Sequence, residues 1–313
     1  MNNKKHLTNV LIERLISAVK NGKDIIAVVA DSTSTAKIND FMELYPDRVV
    51  NVGIAEQTMV GSAAGLALAG KIPVTCNAAP FLISRANEQI KVDICYNNTN
   101  VKLMGLNSGA SYGPLASTHH CIDDISIMRG FGNIEIYAPS CPEECEQIID
   151  YVLEHNGPVY VRLDGKELPY LHDKNYQFKP GNIDVLKRGK QIALVSTGST
   201  VYEIVEAEKL LSKRGIFVSV INLSSIRPCN KTHLVSELSH MNHIITVEEH
   251  NINGGVGSLV CEVLSEIGIG IPIHRLGIPD GQYALAADRS SLRNYHGLDA
   301  NSICHLVEKL IKE

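Results

Sequence analysis

Short runs that are apolar almost from end to end recur along this chain, each followed by a stretch of helical character, and this pattern restricts the fold more than any other. Ile25-Ile26-Ala27-Val28-Val29-Ala30 is the clearest run, ending at Asp31. A shorter one ends at Val49-Val50, and others fall at Pro73–Cys76, Val101–Leu106, Ile134–Tyr137 and Val159–Arg162. A strand with apolar residues on both faces is buried on both faces, which is the condition of a parallel sheet covered by helices. The intervening segments supply those helices, at Leu7–Val19, Gln57–Leu68, Ser84–Tyr96, Asp123–Gly130 and Pro142–His155. Leu7, Val10, Leu11, Leu15 and Ala18 mark the first by their helical spacing. Ser140 is the expected N-cap of the last, with Pro142 in its first turn.

A polar stretch with Pro and Gly then interrupts the alternation from Leu168 to Gly189, after which it resumes on a smaller scale. Strands are expected at Ile192–Ser196, Phe217–Asn222, His243–Val247 and Pro272–Leu276, with helices at Val201–Arg214, Lys231–His240, Val256–Ile267 and Ala300–Ile311. The reading is an α/β protein of two domains, each a mostly parallel sheet flanked by helices: residues 1–170, a linker at 171–189 and residues 190–313. The length of 313 residues suits two domains.

A net charge of −5 provides no basic footprint for nucleic acid or an anionic membrane surface. No apolar run approaches the roughly 18 residues that would suggest a membrane span, and the start of the chain lacks a signal-peptide core. The eight cysteines form no Cys-x-x-Cys pair, and Cys141-Pro-Glu-Glu-Cys145 has no further His or Cys at zinc spacing. Reduced thiols and a cytoplasmic location are expected, with no metal site in this chain.

In parallel sheets, ligands bind beyond the carboxyl ends of the strands. The residues there are Asp31-Ser32-Thr33-Ser34-Thr35, the turn Gly53–Glu56, Asn77-Ala78-Ala79-Pro80-Phe81 and the loop from Asn107 to His120. Glu56 begins a helix rich in Gly and Ala, where small side chains let another backbone or a flat ligand come close. A single carboxylate in that apolar company is a candidate for proton transfer, although an acid at a helix N-terminus is also favoured by the helix dipole alone. The loop from Asn107 ends in the pair His119-His120, which either serves a site or anchors the next helix.

Val49–Gly70, Thr118–Arg129 and Ile134–Val152, together with Glu248-Glu249-His250 and Gly254-Gly255-Val256-Gly257-Ser258, resemble the second half of a transketolase, most closely the C-terminal subunit of split transketolases. The resemblance covers nearly the whole chain and implies the pyrimidine-binding and C-terminal domains of that family. It implies that Glu56 is the acid that contacts the pyrimidine ring of thiamine diphosphate, and that the enzyme transfers a two-carbon ketol unit between sugars. Phe81 matches the family's stacking aromatic, Asp31 an aspartate near the cofactor, and His119 the active-site histidine that handles substrate hydroxyls and protons. The Gly-Asp-Gly turn that holds the diphosphate metal, Mg2+ or Ca2+, does not occur here. That role is therefore expected of a separate N-terminal subunit, in an α2β2 assembly in which this chain also self-associates.

Five positions depart from the family's sugar-phosphate pattern, which an ungapped alignment places at Thr8, Thr35, Asn107, Leu115 and Gly165. The family's second aromatic falls on Ala78. Losing two guanidinium forks and a histidine costs a bound phosphate dianion on the order of 2 kcal/mol per contact. Thr35, Asn107 and His119 thus become the expected substrate-side residues, for a sugar other than a simple pentose phosphate. Two other readings share the fold: the beta subunit of a 2-oxo acid dehydrogenase, and a non-catalytic subunit. Thr118-His119-His120-Cys121-Ile122-Asp123-Asp124 favours transketolase over the first, and Glu56 argues against the second.

Overall fold

Ile25–Val29 becomes a central strand because both of its faces are covered, and it pairs in parallel with Val49–Asn51 on one side and Ile72–Ala78 on the other. The computed structural model describes residues 4–31, 33–173 and 175–312; Ser32 of the first candidate loop lies outside them. The first sheet has seven strands, in the order Ser225–Arg227, Glu135–Tyr137, Val159–Arg162, Lys102–Leu106, Ile72–Ala78, Ile25–Val29, Val49–Asn51. All neighbours are parallel except Ser225–Arg227, which comes from far along the chain and runs antiparallel to Glu135–Tyr137. The five-stranded second sheet runs Ile273–Ile278, His243–Asn251, Ile192–Ser196, Ser219–Asn222, Asp184–Lys187. Its last strand is antiparallel, and it lies within the polar stretch between the two alternating regions.

Helices cover both sheets as the apolar spacing requires. Leu7–Lys20 buries Leu7, Val10, Leu11, Leu15 and Ala18, and Arg14 forks to Asp150 of the helix Pro142–Glu154 at 2.7 and 2.9 Å. Two local expectations fail. Cys141, not Ser140, is the N-cap of Pro142–Glu154. Ser140 lies one residue earlier, and its backbone N–H and hydroxyl both donate to Glu144, at 2.7 and 2.8 Å. The helix expected over 84–96 is instead a helix Ala79–Arg85, a single turn Asn87–Gln89 and a π-helical segment Ile90–Tyr96. Pro80 sits in the first turn of Ala79–Arg85, so that helix starts directly where Ile72–Ala78 ends. Phe81 and Arg85 are thereby placed at the carboxyl edge of the sheet.

Candidate active site

Glu56 is the first residue of the helix Glu56–Leu68 and is 5% exposed. The turn ahead of it is tied to the neighbouring strand by Asn51, whose Oδ1 accepts from the N–H of Asp31 at 3.1 Å and of Gly53 at 3.0 Å. Asp31, with φ 60°, and Gly53, with φ 74°, both turn back in the left-handed region. The Asp31 carboxylate therefore stands exposed at the strand end beside the start of the Glu56 helix.

The company Glu56 keeps is not apolar, as the sequence suggested. Arg85 Nη1 donates to Glu56 Oε1 at 2.9 Å and Asn77 Nδ2 to the same oxygen at 3.4 Å. Both bonds end on Oε1, which leaves Oε2 without a partner among the described residues. The Arg85 guanidinium also lies 4.2 Å from the centre of the Phe81 ring, a cation–π contact made possible because residues four apart share a helix face. Phe81 meets the His119 ring edge-on at 5.2 Å, and His119 meets Tyr112 in the same way at 5.3 Å. His119 Nδ1 is 2.9 Å from Thr118 Oγ1. Glu56, Arg85, Phe81 and His119 thus form one continuous line of contacts. A cleft of about 420 Å³ opens alongside it, lined by Phe81, Ser84, Arg85, Thr118, His120 and Asp123.

The two histidines divide their roles. His120 is buried, with Nε2 2.8 Å from the Gly113 carbonyl, and burial lowers its pKa, so it anchors the loop as a neutral ring. His119 is half-buried and faces the aromatic pair. Asp123, exposed at the edge of the cleft, has a carboxyl raised above its ordinary value by partial desolvation and by the adjacent Asp124. Asp124 itself is fully buried and receives Arg162 Nε at 2.8 Å and the Tyr160 hydroxyl at 2.7 Å. That pairing fixes the helix behind the cleft.

Thr35 and Asn107 do not join the Glu56 group. Thr35 is half-buried on the short helix Thr33–Ala36, and Asn107 sits at φ 54° past the end of Lys102–Leu106. Asn107 faces Gly165 so closely that a Cβ there would lie 2.3 Å from Asn107 Oδ1. Two positions where the family pattern would place His and Arg therefore fit one another as Asn and Gly. Arg85, Asn77, Tyr112 and Asp123 were missed from the sequence. Arg85 carried a usable signal, since it lies four residues after Phe81 on one helix.

The site suits the pyrimidine end of a thiamine cofactor. A buried carboxylate with one free oxygen can take a ring nitrogen, and Phe81 offers an apolar face beside it. Exposed Gln57 and Thr58 and half-buried Gly61 and Ser62 leave the helix N-terminal half thinly covered. Fold and site together define one half of a thiamine diphosphate-dependent transferase, and the chain belongs to the transketolase family. The family's pyrimidine-binding domain matches residues 3–169 and its C-terminal domain residues 181–303. The chain is 66% identical over 310 residues to an apulose-4-phosphate transketolase subunit of Actinobacillus succinogenes, covering 99% of this chain and 100% of that one. It is 33% identical to an apulose-4-phosphate transketolase subunit of Phocaeicola vulgatus, covering 99% and 97%. A solved split-gene transketolase, an inactive beta4 tetramer, superposes with a TM-score of 0.87 at 32% identity, covering 98% of both chains. The resemblance seen in the sequence holds: the chain is the C-terminal half of a split, two-chain transketolase.

Proposed function

We propose that this chain, joined to a diphosphate-binding subunit, transfers a two-carbon ketol unit from apulose 4-phosphate or a close relative of it to an aldehyde acceptor. The observation that carries the reading is the Glu56–Arg85–Phe81–His119 line beside an open cleft. Bound there, thiamine diphosphate supplies the nucleophilic carbon and the electron sink. Glu56 holds and exchanges a proton at the pyrimidine ring through the oxygen that Arg85 leaves free. Phe81 stacks against the ring, Asp31 stands near the cofactor, and His119 moves protons at the substrate hydroxyls. The partner contributes the diphosphate site with its Mg2+ or Ca2+, in an α2β2 cytoplasmic assembly in which this chain contacts its own copy. Ile54 and Leu68 at the two ends of the Glu56 helix are each 76% exposed, and Tyr96 is 82% exposed. Apolar side chains left out in this way suit a face that a second polypeptide covers.

The substrate choice rests on the 66% identical relative; the Asn107–Gly165 pairing, which puts small, uncharged groups where the family pattern has His and Arg, implies that the 4-phosphate is held by other groups. The reconstituted pair of subunits tests it, assayed with apulose 4-phosphate and, separately, with xylulose 5-phosphate as donor, each with ribose 5-phosphate as the aldehyde acceptor. A higher kcat/KM on apulose 4-phosphate is expected; ordinary transketolase rates on the pentose phosphate pair would overturn the substrate assignment. In the same assay Glu56→Gln should lower kcat at least about 100-fold, as loss of a proton-transferring group does. An undiminished rate would remove Glu56 from the chemistry.

A further inference from the structure

His172 lies about 30 residues after Cys141 and Glu143 yet meets them where the polar connecting stretch folds back on the first domain. Cys141 is the N-cap of the helix Pro142–Glu154, and Glu143 stands in its first turn. His172 follows the strand Glu167–Pro169. His172 Nδ1 is 3.2 Å from Cys141 Sγ and 3.5 Å from Glu143 Oε1, and one ligand atom from each residue falls within 4.8 Å of the other two. With zinc bonds of about 2.3 Å to sulfur and about 2.0 Å to nitrogen or oxygen, tetrahedral ligands sit roughly 3.3–3.6 Å apart. The sulfur–nitrogen separation is close to that, and so is the separation from Nδ1 to the nearer oxygen of the Glu143 carboxylate.

The surroundings match a metal's needs beyond these three atoms. His172 Nε2 is 2.7 Å from Asp184 Oδ2. A carboxylate there fixes the ring with Nδ1 turned toward Cys141 and Glu143, the arrangement commonly found behind metal-bound histidines, and Nδ1 frees its lone pair by giving up its proton. Tyr176 stacks on the ring at 3.7 Å and holds its plane. Glu143 Oε1 accepts the backbone N–H of Leu171 at 2.6 Å and that of His172, whereas Glu143 Oε2 is buried without a hydrogen-bond partner among the described residues. A buried acceptor left unpaired is costly, and a cation would satisfy it. The Cys141 side chain is fully buried and that of His172 is 6% exposed, so an ion held here would be largely shielded from water.

We propose that Cys141 Sγ, the Glu143 carboxylate and His172 Nδ1 bind one Zn2+ that fastens the connecting stretch to the first domain, with a water or hydroxide completing four ligands. Thiolate, imidazole and carboxylate together suit zinc rather than Mg2+ or Ca2+, which take oxygen ligands. Binding displaces the protons on Cys141 and on His172 Nδ1 to solvent, and no redox change is involved. The site is separate from the Glu56 line, and its role is structural.

The test uses the full chain, stripped with chelator and then titrated with Zn2+ against a chromogenic competitor, with bound metal counted by elemental analysis. One Zn2+ per chain and a raised Tm are expected. Co2+ in its place should give a thiolate-to-metal charge-transfer band in the ultraviolet. Cys141→Ser should abolish the band and the binding, Cys261→Ser should leave both, and Asp184→Asn should weaken binding roughly 10–100-fold. Uptake of no Zn2+ at micromolar free metal would overturn the proposal. So would an unchanged band in Cys141→Ser, whose conservative change is chosen to keep the fold.

Discussion

Lys102 is an ionisable side chain that the strand pattern hides, since it occupies the first position of a strand buried along its whole length. Its Nζ donates to the His155 carbonyl at 2.7 Å and the Gly157 carbonyl at 2.8 Å. Burial, reinforced by Lys23, pushes its pKa down from 10.5 to about 7. The unfolded chain holds that proton up to about pH 10.5 and the folded chain only up to about 7. In the interval the unfolded state binds more protons, so stability rises with pH by about 1.4 kcal/mol per unit from this group. Lys102→Met lacks that slope. Urea unfolding at roughly pH 8 and 9.5 should therefore show wild type gaining about 2 kcal/mol on the variant; parallel behaviour of the two proteins would mean that Lys102 stays charged when buried. At this same scale the active site was half legible. Glu56 stood out as a lone acid at a helix start past a strand end, whereas Phe81, Asp31 and His119 were named through the family resemblance. Asn77 carried no such signal, and Arg85 only its spacing four residues after Phe81, because their role depends on which rotamer reaches the Glu56 carboxylate.

Helix beginnings are where the glycine-rich motif of the second domain makes physical sense. Glu248, 1% exposed, accepts at Oε2 from the N–H of Val256 at 2.7 Å and at Oε1 from that of Gly257 at 2.9 Å. The carboxylate thus closes the N-terminus of Val256–Glu266 from the preceding strand, where both the free N–H groups and the dipole favour an anion. Gly255 must lack a side chain, since a Cβ would fall 2.0 Å from Glu248 Oε2, and one on Gly257 would fall 2.7 Å from Thr246 Oγ1. Glu248→Gln keeps the shape and turns one acceptor into a donor facing an N–H. A loss of about 1–3 kcal/mol is expected in chemical denaturation; no change would show that water replaces the bond. Elements of this length were readable from periodicity. The break at Ala86 and the π-helical turn after Gln89 were not, because Ser84–Tyr96 keeps helical apolar spacing throughout and the path is decided by packing.

For the molecule as a whole, alternation fixed the two parallel sheets but not how they interlock. Ser225–Arg227 is three residues long and carries no period of its own, yet it forms the edge of the first sheet while belonging to the second region of sequence. Another link is electrostatic. Arg289 donates from Nη1 to Asp164 Oδ1 at 2.7 Å, from Nε to Glu249 Oε2 at 2.9 Å and from Nη2 to Ser199 Oγ at 2.7 Å. Arg293 Nε adds a bond to Glu249 at 2.6 Å. Burial alone would neutralise both acids; instead Arg289 holds Asp164, and Arg289 with Arg293 holds Glu249, below the ordinary carboxylate range. Asp164 follows the first sheet's Val159–Arg162, and Glu249 lies on the second sheet's His243–Asn251, so a single guanidinium joins the two. Arg289→Met would leave two buried acids short of a counter-charge, which costs about 3–5 kcal/mol. Asp164→Asn added to that variant should restore part of the loss, because the group left behind no longer carries charge. Arg188→Met, at a pair whose arginine is 68% exposed, is the surface comparison and should lie within about 1 kcal/mol of wild type. A loss in Arg289→Met no larger than in Arg188→Met would show that the Arg289 bridge adds no more than a surface pair to what apolar packing, the exchanged strand and the remaining hydrogen bonds between the sheets supply.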